Sequence, residues 1–543
     1  MLRFKRFIVR YRYFFIFLLI FLFPRLVGLG IDSYEMDAGR WDVRSDKFIK
    51  DLLVGKFIGT YQTYHPGVTV MWLTGISKKI LYVLFELKNG YSVTLNDGIV
   101  YSEWFFVTNF VIKFPLILTI SLILAFMSYL LYKMRLDLKF VLLFSIFLSL
   151  EPFFLGISRF YHLTGLETVF GFAAIISLAY YYHSKNKLYL VLTSLFMALS
   201  VLTKLSGVIL LPFLGILMFF LEAKNKGFDP RKYVNSWKQK EVWVRLFKLL
   251  YLSIGKYIIV LIVGFLFFIL LWPAMWVEPF SIIKDIYIVG VGDHAFGDKP
   301  APSLTGNKYL YYYEMLFTRS LGLTFIAFFV SIFFIFKEKS KNIRLIYFLN
   351  FAFVIYFAYI MAIPNKQIDR YTANLYPFVI VCSTYFIYYL SNNLSKVGQY
   401  LLFSFLFLYY GLLLWAYYPN FSAYHSDMVG GLNGYSKLAP VRNRGEFYMD
   451  LIRFLNEKDG NDARKKNLVV PRGEKDRSTR GYLGSVFTHD GLVPEGKEAV
   501  DYYAPDYLDI EEEIPKNRDC NFIKGFGTRW PIKFNYLYLY ECK

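Results

Sequence analysis

Cysteine is nearly absent from this 543-residue chain: Cys382, Cys520 and Cys542 are its only three. They form no CxxC and no metal-ligand spacing, which argues against a zinc module or a dithiol redox centre. Cys382 lies inside an apolar run and reads as a small buried hydrophobe. Cys520 and Cys542 fall in the C-terminal tail, where their spacing permits a bond without requiring one. Acids are scarce as well, with 41 Asp and Glu against 61 Lys and Arg, for a net charge of +20. Such a balance can mark a nucleic-acid binder. Here, however, the bases lie in short stretches between apolar runs, as the positive-inside rule expects of membrane loops. No nucleic-acid partner is therefore expected, and the charge reads as topology plus attraction to anionic lipid head groups. Tandem repeats and long low-complexity segments are also missing. What the chain has is apolar weight: 56% of its residues are hydrophobic and 21% are aromatic. That is more than soluble domains carry, so an α-helical polytopic membrane protein is expected.

A helix needs about 20 apolar residues to cross a bilayer. Eleven segments qualify: 12–30, 106–132, 138–157, 164–183, 187–203, 206–222, 251–272, 320–336, 344–362, 373–391 and 399–418. Basic Arg3, Lys5, Arg6 and Arg10 precede the first and Arg12 opens it, and no small-residue cleavage site follows it, so a retained helix with a cytoplasmic N-terminus is expected. Counting from there, the inside connections 133–139, 184–187, 223–250, 337–344 and 391–399 are all basic. The C-terminus then falls outside, and the chain reads as a multi-pass protein of the cytoplasmic membrane, embedded in the lipid bilayer. The outside loop 31–105 holds two short apolar stretches, Val68–Ile76 and Ile80–Phe85, which read as interfacial helices. From about 420 the composition turns polar. Residues 445–457 have helical apolar spacing, while Val469–Val470, Ala499–Tyr503 and Phe534–Tyr540 read as strands. The expected division is a transmembrane domain over 1–419 and a small extracytoplasmic α/β domain over 420–543.

Unusual residues collect in the outside loops. Asp32, Glu35 and Asp37 form an acid cluster directly after the first span. Transfer from a lipid phosphate needs a base for the acceptor hydroxyl and cations for the departing phosphate. A loop at the membrane surface can supply both, though a solvated acidic loop explains the cluster equally simply. The continuation is more specific: Asp37-Ala-Gly-Arg-Trp-Asp-Val-Arg-Ser, then Gly55-Lys-Phe, then Thr60-Tyr-Gln-Thr-Tyr-His-Pro-Gly-Val-Thr-Val-Met-Trp-Leu. This resembles the first outside loop of the C-type membrane glycosyltransferases, in particular bacterial members of the protein O-mannosyltransferase-like family, which includes the lipid A aminoarabinose transferases. Further along, Ser158-Arg-Phe-Tyr-His-Leu-Thr, Thr203-Lys204, Trp272-Pro-Ala-Met-Trp-Val-Glu-Pro, Arg370-Tyr with Tyr376-Pro377, and Tyr417–Gly434 resemble other segments of that family in the same order.

The resemblance implies a GT-C-like fold and an enzyme that takes sugar from a polyprenyl-phosphate donor and inverts the anomeric centre. Its acceptor would be a hydroxyl on a protein, lipid or glycan. Asp37 falls at the position of the family's base. Ala38 replaces the usual Glu, so that either Glu35 takes the second role or catalysis is altered or lost. His65, Arg159, His162, Lys204 and Arg370 would bind the donor phosphate; Arg40, Arg44, Tyr64, Lys366 and Tyr371 are further candidate substrate contacts. Thr164 stands where many relatives have Asp, with Glu167 one turn away. The donor phosphate is already a leaving group, so no metal is obligatory, and a divalent metal is left open. Asp293, His294 and Asp298 match no strong metal signature and read as a polar loop. Two other functions fit the class, a transporter or flippase and a degenerate family member serving as a binding subunit. Few acids lie inside the spans and no paired halves are evident, contrary to a transporter.

Overall fold

The computed structural model describes residues 9–35, 37–90, 104–228, 240–297, 299, 304–441, 444–460, 466–470, 482–483, 485–487, 501–508 and 519–542. Each of the eleven apolar segments is helical. In chain order the helices are α1 (Arg12–Leu26), α2 (Ala38–Leu53), α3 (Val68–Asn89), α4 (Phe105–Lys133), α5 (Leu138–Leu150), α6 (Pro152–Ser158), α7 (Leu163–Ser184), α8 (Leu188–Thr203), α9 (Leu210–Asn225), α10 (Lys240–Leu271), α11 (Pro279–Asp285), α12 (Tyr311–Arg319), α13 (Gly322–Phe334), α14 (Lys341–Ile360), α15 (Tyr376–Asn393), α16 (Lys396–Tyr417), α17 (Gly431–Ser436) and α18 (Tyr448–Asp459). Among the described residues eight are long and apolar enough to cross a membrane, and the bent pair α5–α6 makes a ninth. The chain is a multi-pass membrane protein. The count is below eleven because α1, α8 and α13 have only 15, 16 and 13 residues. The two apolar stretches of loop 31–105 also join into one helix: α3 is continuous over 22 residues, packs against α2 and α4, and itself has the length and apolarity of a span.

Local chemistry sets the helix ends. Asp137 caps α5 by accepting the Lys139 N–H, and Ser340 and Ser395 cap α14 and α16 in the same way. Pro152 forces the residue before it out of helical geometry, so the segment breaks at Glu151 and turns through 68° into α6. At the centre stands α7, in which every residue from Leu163 to Ala179 is buried. A helix apolar on all sides belongs inside a bundle, and α4 and α8 pack closely along this one. By contrast, α10 and α16 leave most of their apolar residues facing outward.

After α16 the chain turns back onto the bundle. Phe421 and Ser422 lie so close to Gly156 of α6 that a Cβ there would sit 2.2 Å from the Ser422 nitrogen and 2.6 Å from the Phe421 carbonyl carbon. Because those atoms are backbone, Gly156→Ala is expected to cost about 1–3 kcal/mol. It should lower the thermal midpoint in detergent, while Gly255→Ala, with nothing within 4 Å, leaves it unchanged or raises it. Farther on, α18 lies beside a sheet of order β2-β1-β3-β5-β4, formed by β1 (Asn467–Val469), β2 (Ser485–Phe487), β3 (Tyr502–Tyr503), β4 (Cys520–Thr528) and β5 (Phe534–Cys542). β1 pairs in parallel with β2 and β3, and β5 pairs antiparallel with β3 and β4. Cys520 stands opposite Cys542 in that register, and the two form a disulfide.

Candidate active site

The three acids after α1 have different fates. Asp32 is buried in an ion triad: its Oδ1 accepts from Lys113 Nζ at 3.0 Å and its Oδ2 from Arg159 Nε at 3.1 Å. Arg159 Nη1 also donates to the Val27 carbonyl at 2.9 Å, and the guanidinium lies over the Phe421 ring. Arg159 is thus tied to Asp32 and to the end of α1, and its buried Nη2 is left without a hydrogen-bond partner. Glu35 is buried too. Its Oε1 meets Arg370 Nη1 at 2.7 Å and its Oε2 accepts the Asp37 backbone N–H at 2.9 Å. Burial raises the Glu35 carboxyl to about 7, against the pull of Arg370.

Asp37 begins α2. Its Oδ2 lies 2.8 Å from Arg370 Nη2, and its Oδ1 lies 3.2 Å from Arg40 Nη1. Its side chain is 22% exposed where that of Glu35 is 1% exposed, so of the two carboxylates held by Arg370 only Asp37 is open to a substrate. Ala38 is fully buried. Glu35, two residues before Asp37, supplies the neighbouring carboxylate from the other direction. The same α2 is pinned to α3 by Lys78, whose ammonium is buried between Asp42 and Asp46. Gly67, at φ +60°, brings the backbone against Trp41, where any Cβ would collide with the indole. Arg44 lies over that indole at 4.8 Å.

Three other elements converge here. His162, the N-cap of α7, has Nε2 3.7 Å from Asp37 Oδ2. Lys204, just past α8, has Nζ 3.3 Å from Glu167 Oε2 and 3.4 Å from the centre of the Tyr371 ring. Burial lowers the ammonium to about 8, while Glu167 opposes the shift. His65 is half-buried beside Tyr64, which stacks on His294 at 4.4 Å and accepts from Lys366 Nζ at 3.3 Å. Burial and the nearby Lys204, Lys366 and Arg370 hold the His65 imidazole well below its ordinary pKa, so it stays neutral. Asp37, Glu35, His65, His162, Lys204, Arg370, Lys366, Tyr64 and Tyr371 thus share one cluster, with Arg40 at its edge and Arg159 outside it. An apolar cavity of about 460 Å³ adjoins the cluster, lined by Pro66, Val201, Leu205, Leu261, Phe265 and Ile286 among others. Pro66 and Leu205 directly follow His65 and Lys204, so charged site and apolar cavity share a rim.

Sequence reasoning missed Arg444, Arg319 and the role of Asp369. Asp369 Oδ2 lies 2.7 Å from Arg319 Nη2 and its Oδ1 contacts Arg444 Nη2, while the Arg370 N–H donates to the same Oδ1 at 2.9 Å. Arg444 N–H donates to Glu446 at 2.6 Å. Nothing in Val441-Arg-Asn-Arg-Gly-Glu signals this, since the partners lie far apart in the chain. Asp298 falls outside the described residues. Among the described residues no group of three metal-type ligands assembles, and His294 serves as a stacking partner of Tyr64.

No protein-family model matches the chain, and no curated protein matches it. Solved structures similar to it include ArnT from Cupriavidus metallidurans bound to undecaprenyl phosphate, at 11% identity over 98% of each chain with a TM-score of 0.47. Another is the archaeal oligosaccharyltransferase AglB from Archaeoglobus fulgidus, in complex with an inhibitory peptide and a dolichol-phosphate. It is 12% identical over 93% of this chain and 70% of its own, with a TM-score of 0.40. At these scores they are likenesses only, and the chemistry of the site rests on its own side chains.

Proposed function

We propose that this protein is a membrane glycosyltransferase that moves a sugar from a polyprenyl-phosphate donor to an acceptor hydroxyl at the outer face of the membrane, inverting the anomeric centre. The supporting observation is the partly open Asp37 carboxylate, set among cations at the rim of an apolar cavity. The isoprenoid tail would lie in the cavity and its phosphate between His65, Lys204 and Arg370. Asp37 takes the acceptor proton as the hydroxyl oxygen attacks the anomeric carbon, and the sugar–phosphate bond breaks with its electron pair leaving on the phosphate. Arg370 keeps its buried Nε without a hydrogen-bond partner, so the guanidinium that fixes both carboxylates retains a donor for phosphate oxygen. Neutral His65 contributes a hydrogen bond, and Lys204 a compact charge. Glu35 stands in for the acid missing at Ala38 by sharing Arg370 with Asp37. The acceptor is a hydroxyl on protein, lipid or glycan, approaching from the exposed side of Asp37 past Arg40.

The test gives purified protein polyprenyl-phosphate mannose, glucose or aminoarabinose together with acceptor, and follows release of the lipid phosphate. Asp37→Asn is expected to lower turnover by about 10²- to 10⁴-fold, the share usual for a positioned base, with the thermal midpoint held. Unchanged turnover in Asp37→Asn overturns the base assignment.

A further inference from the structure

The ring nitrogens of His162 have different surroundings. Nδ1 faces the start of α7, where the Thr164 backbone N–H reaches it at 3.2 Å and the Thr164 hydroxyl at 3.1 Å. A backbone N–H can only donate, so Nδ1 must accept. A neutral imidazole with Nδ1 as acceptor carries its proton on Nε2. The ring is neutral, because it is buried and faced by positive groups, Arg370 and Lys204 foremost and then Arg444. Its Nε2–H faces the Asp37 carboxylate across 3.7 Å. That gap is longer than a formed hydrogen bond, and a small turn of either side chain closes it to about 3 Å. Such contacts commonly tighten only when substrate is bound.

Asp37 is therefore approached unequally at its two oxygens. Oδ2 has Arg370 Nη2 at 2.8 Å and the His162 Nε2–H beyond it. Among the described residues Oδ1 has only Arg40, whose side chain is 63% exposed. We propose that His162 is a positioning residue for Asp37: its Nε2–H, with Arg370, ties down Oδ2, so that Oδ1 is the atom that takes the acceptor's proton. This rests on the transferase reading and gives His162 a role other than contact with the donor phosphate. The proton goes from acceptor hydroxyl to Oδ1 while His162 stays neutral throughout and neither gains nor loses one.

The N-cap role and the Asp37 role of His162 separate by substitution in the full-length protein. Asn is among the best N-caps but is too short to reach Asp37, whereas Gln places an amide N–H near the position of Nε2. His162→Asn is expected to keep the thermal midpoint and donor KM while kcat falls about 10- to 100-fold, and His162→Gln to recover several-fold of that loss. Wild-type kcat in His162→Asn, or Gln no better than Asn, overturns the proposal. A second readout needs no turnover. In protein labelled at the histidine ring nitrogens, the resonance lost in His162→Asn should show the neutral Nε2–H tautomer from pH 6 to 8 and shift at Nε2 in Asp37→Asn. The Nδ1–H tautomer, protonation within that range, or no shift overturns it. Failure of wild-type protein to turn over any donor would count against the transferase reading, and the nitrogen spectrum would still decide the role of His162.

Discussion

Arg370→Ala should cost both activity and fold, with turnover falling about 10³-fold or more and stability by about 3–5 kcal/mol, the usual penalty for leaving buried charge without its partner. One guanidinium holds Glu35 at 2.7 Å and Asp37 at 2.8 Å. Removing it leaves two carboxylates side by side, Glu35 without its ion-pair partner and Asp37 with only the exposed Arg40. The pH dependence has a definite sign. Burial already lifts Glu35 from 4.5 to about 7, and Arg370 is the main opposing influence. Without it the folded-state pKa rises further, so the folded protein holds a proton that the unfolded chain gives up above pH 4.5. Stability of the variant therefore falls as pH rises from about 4.5 to above 7, and thermal melts near pH 5 should recover part of what is lost at pH 8. Arg370→Lys keeps the charge but offers no fork to span two carboxylates. It should retain most of the stability and little of the turnover. Equal melting curves for Arg370→Ala and wild type at pH 8 would contradict the pairing.

Asp369→Ala is expected to be comparably severe by a different route. Asp369 lies between Arg319 and Arg444, whose side chains are 5% and 8% exposed, and its removal leaves two buried guanidiniums facing each other. The loss should again be about 3–5 kcal/mol. Since Arg444 belongs to the segment that returns from α16, limited proteolysis should cut that segment faster in the variant. Asp369→Ala combined with Arg444→Met removes one of the stranded cations and should recover part of the melting temperature. A double variant less stable than the single one would show that the trio is not held by charge.

The helices are legible because a run of about 20 apolar residues has few other uses, and basic loops mark their order. The break at Glu151-Pro152 is not read there, since 138–157 stands as one apolar run, although Pro152 supplies its physical cause. The site is only partly legible. Sidedness groups Asp37, His162, Lys204 and Arg370, although nothing local joins Glu35 to Arg370, 335 residues away. Charge at a membrane edge suggests a ligand for Arg159, whereas packing gives it Asp32, a pairing made by how α1 and α6 lie together. His65 reads as a group able to charge until its burial among cations is known. Arg444 lies in a polar stretch with no periodicity and no motif, and only the closing of the chain onto α6 gives it a partner.

The burial of α7 on every side has an evolutionary consequence. Most helices have a free face on which residues can be exchanged one at a time, but from Leu163 to Ala179 this one has none. Each change there must be matched by a neighbour in α4, α8 or α15 to keep the volume filled. Descendants of this chain can drift quickly along α10 and α16, where apolarity is almost the only demand, while α7 can change only through linked substitutions.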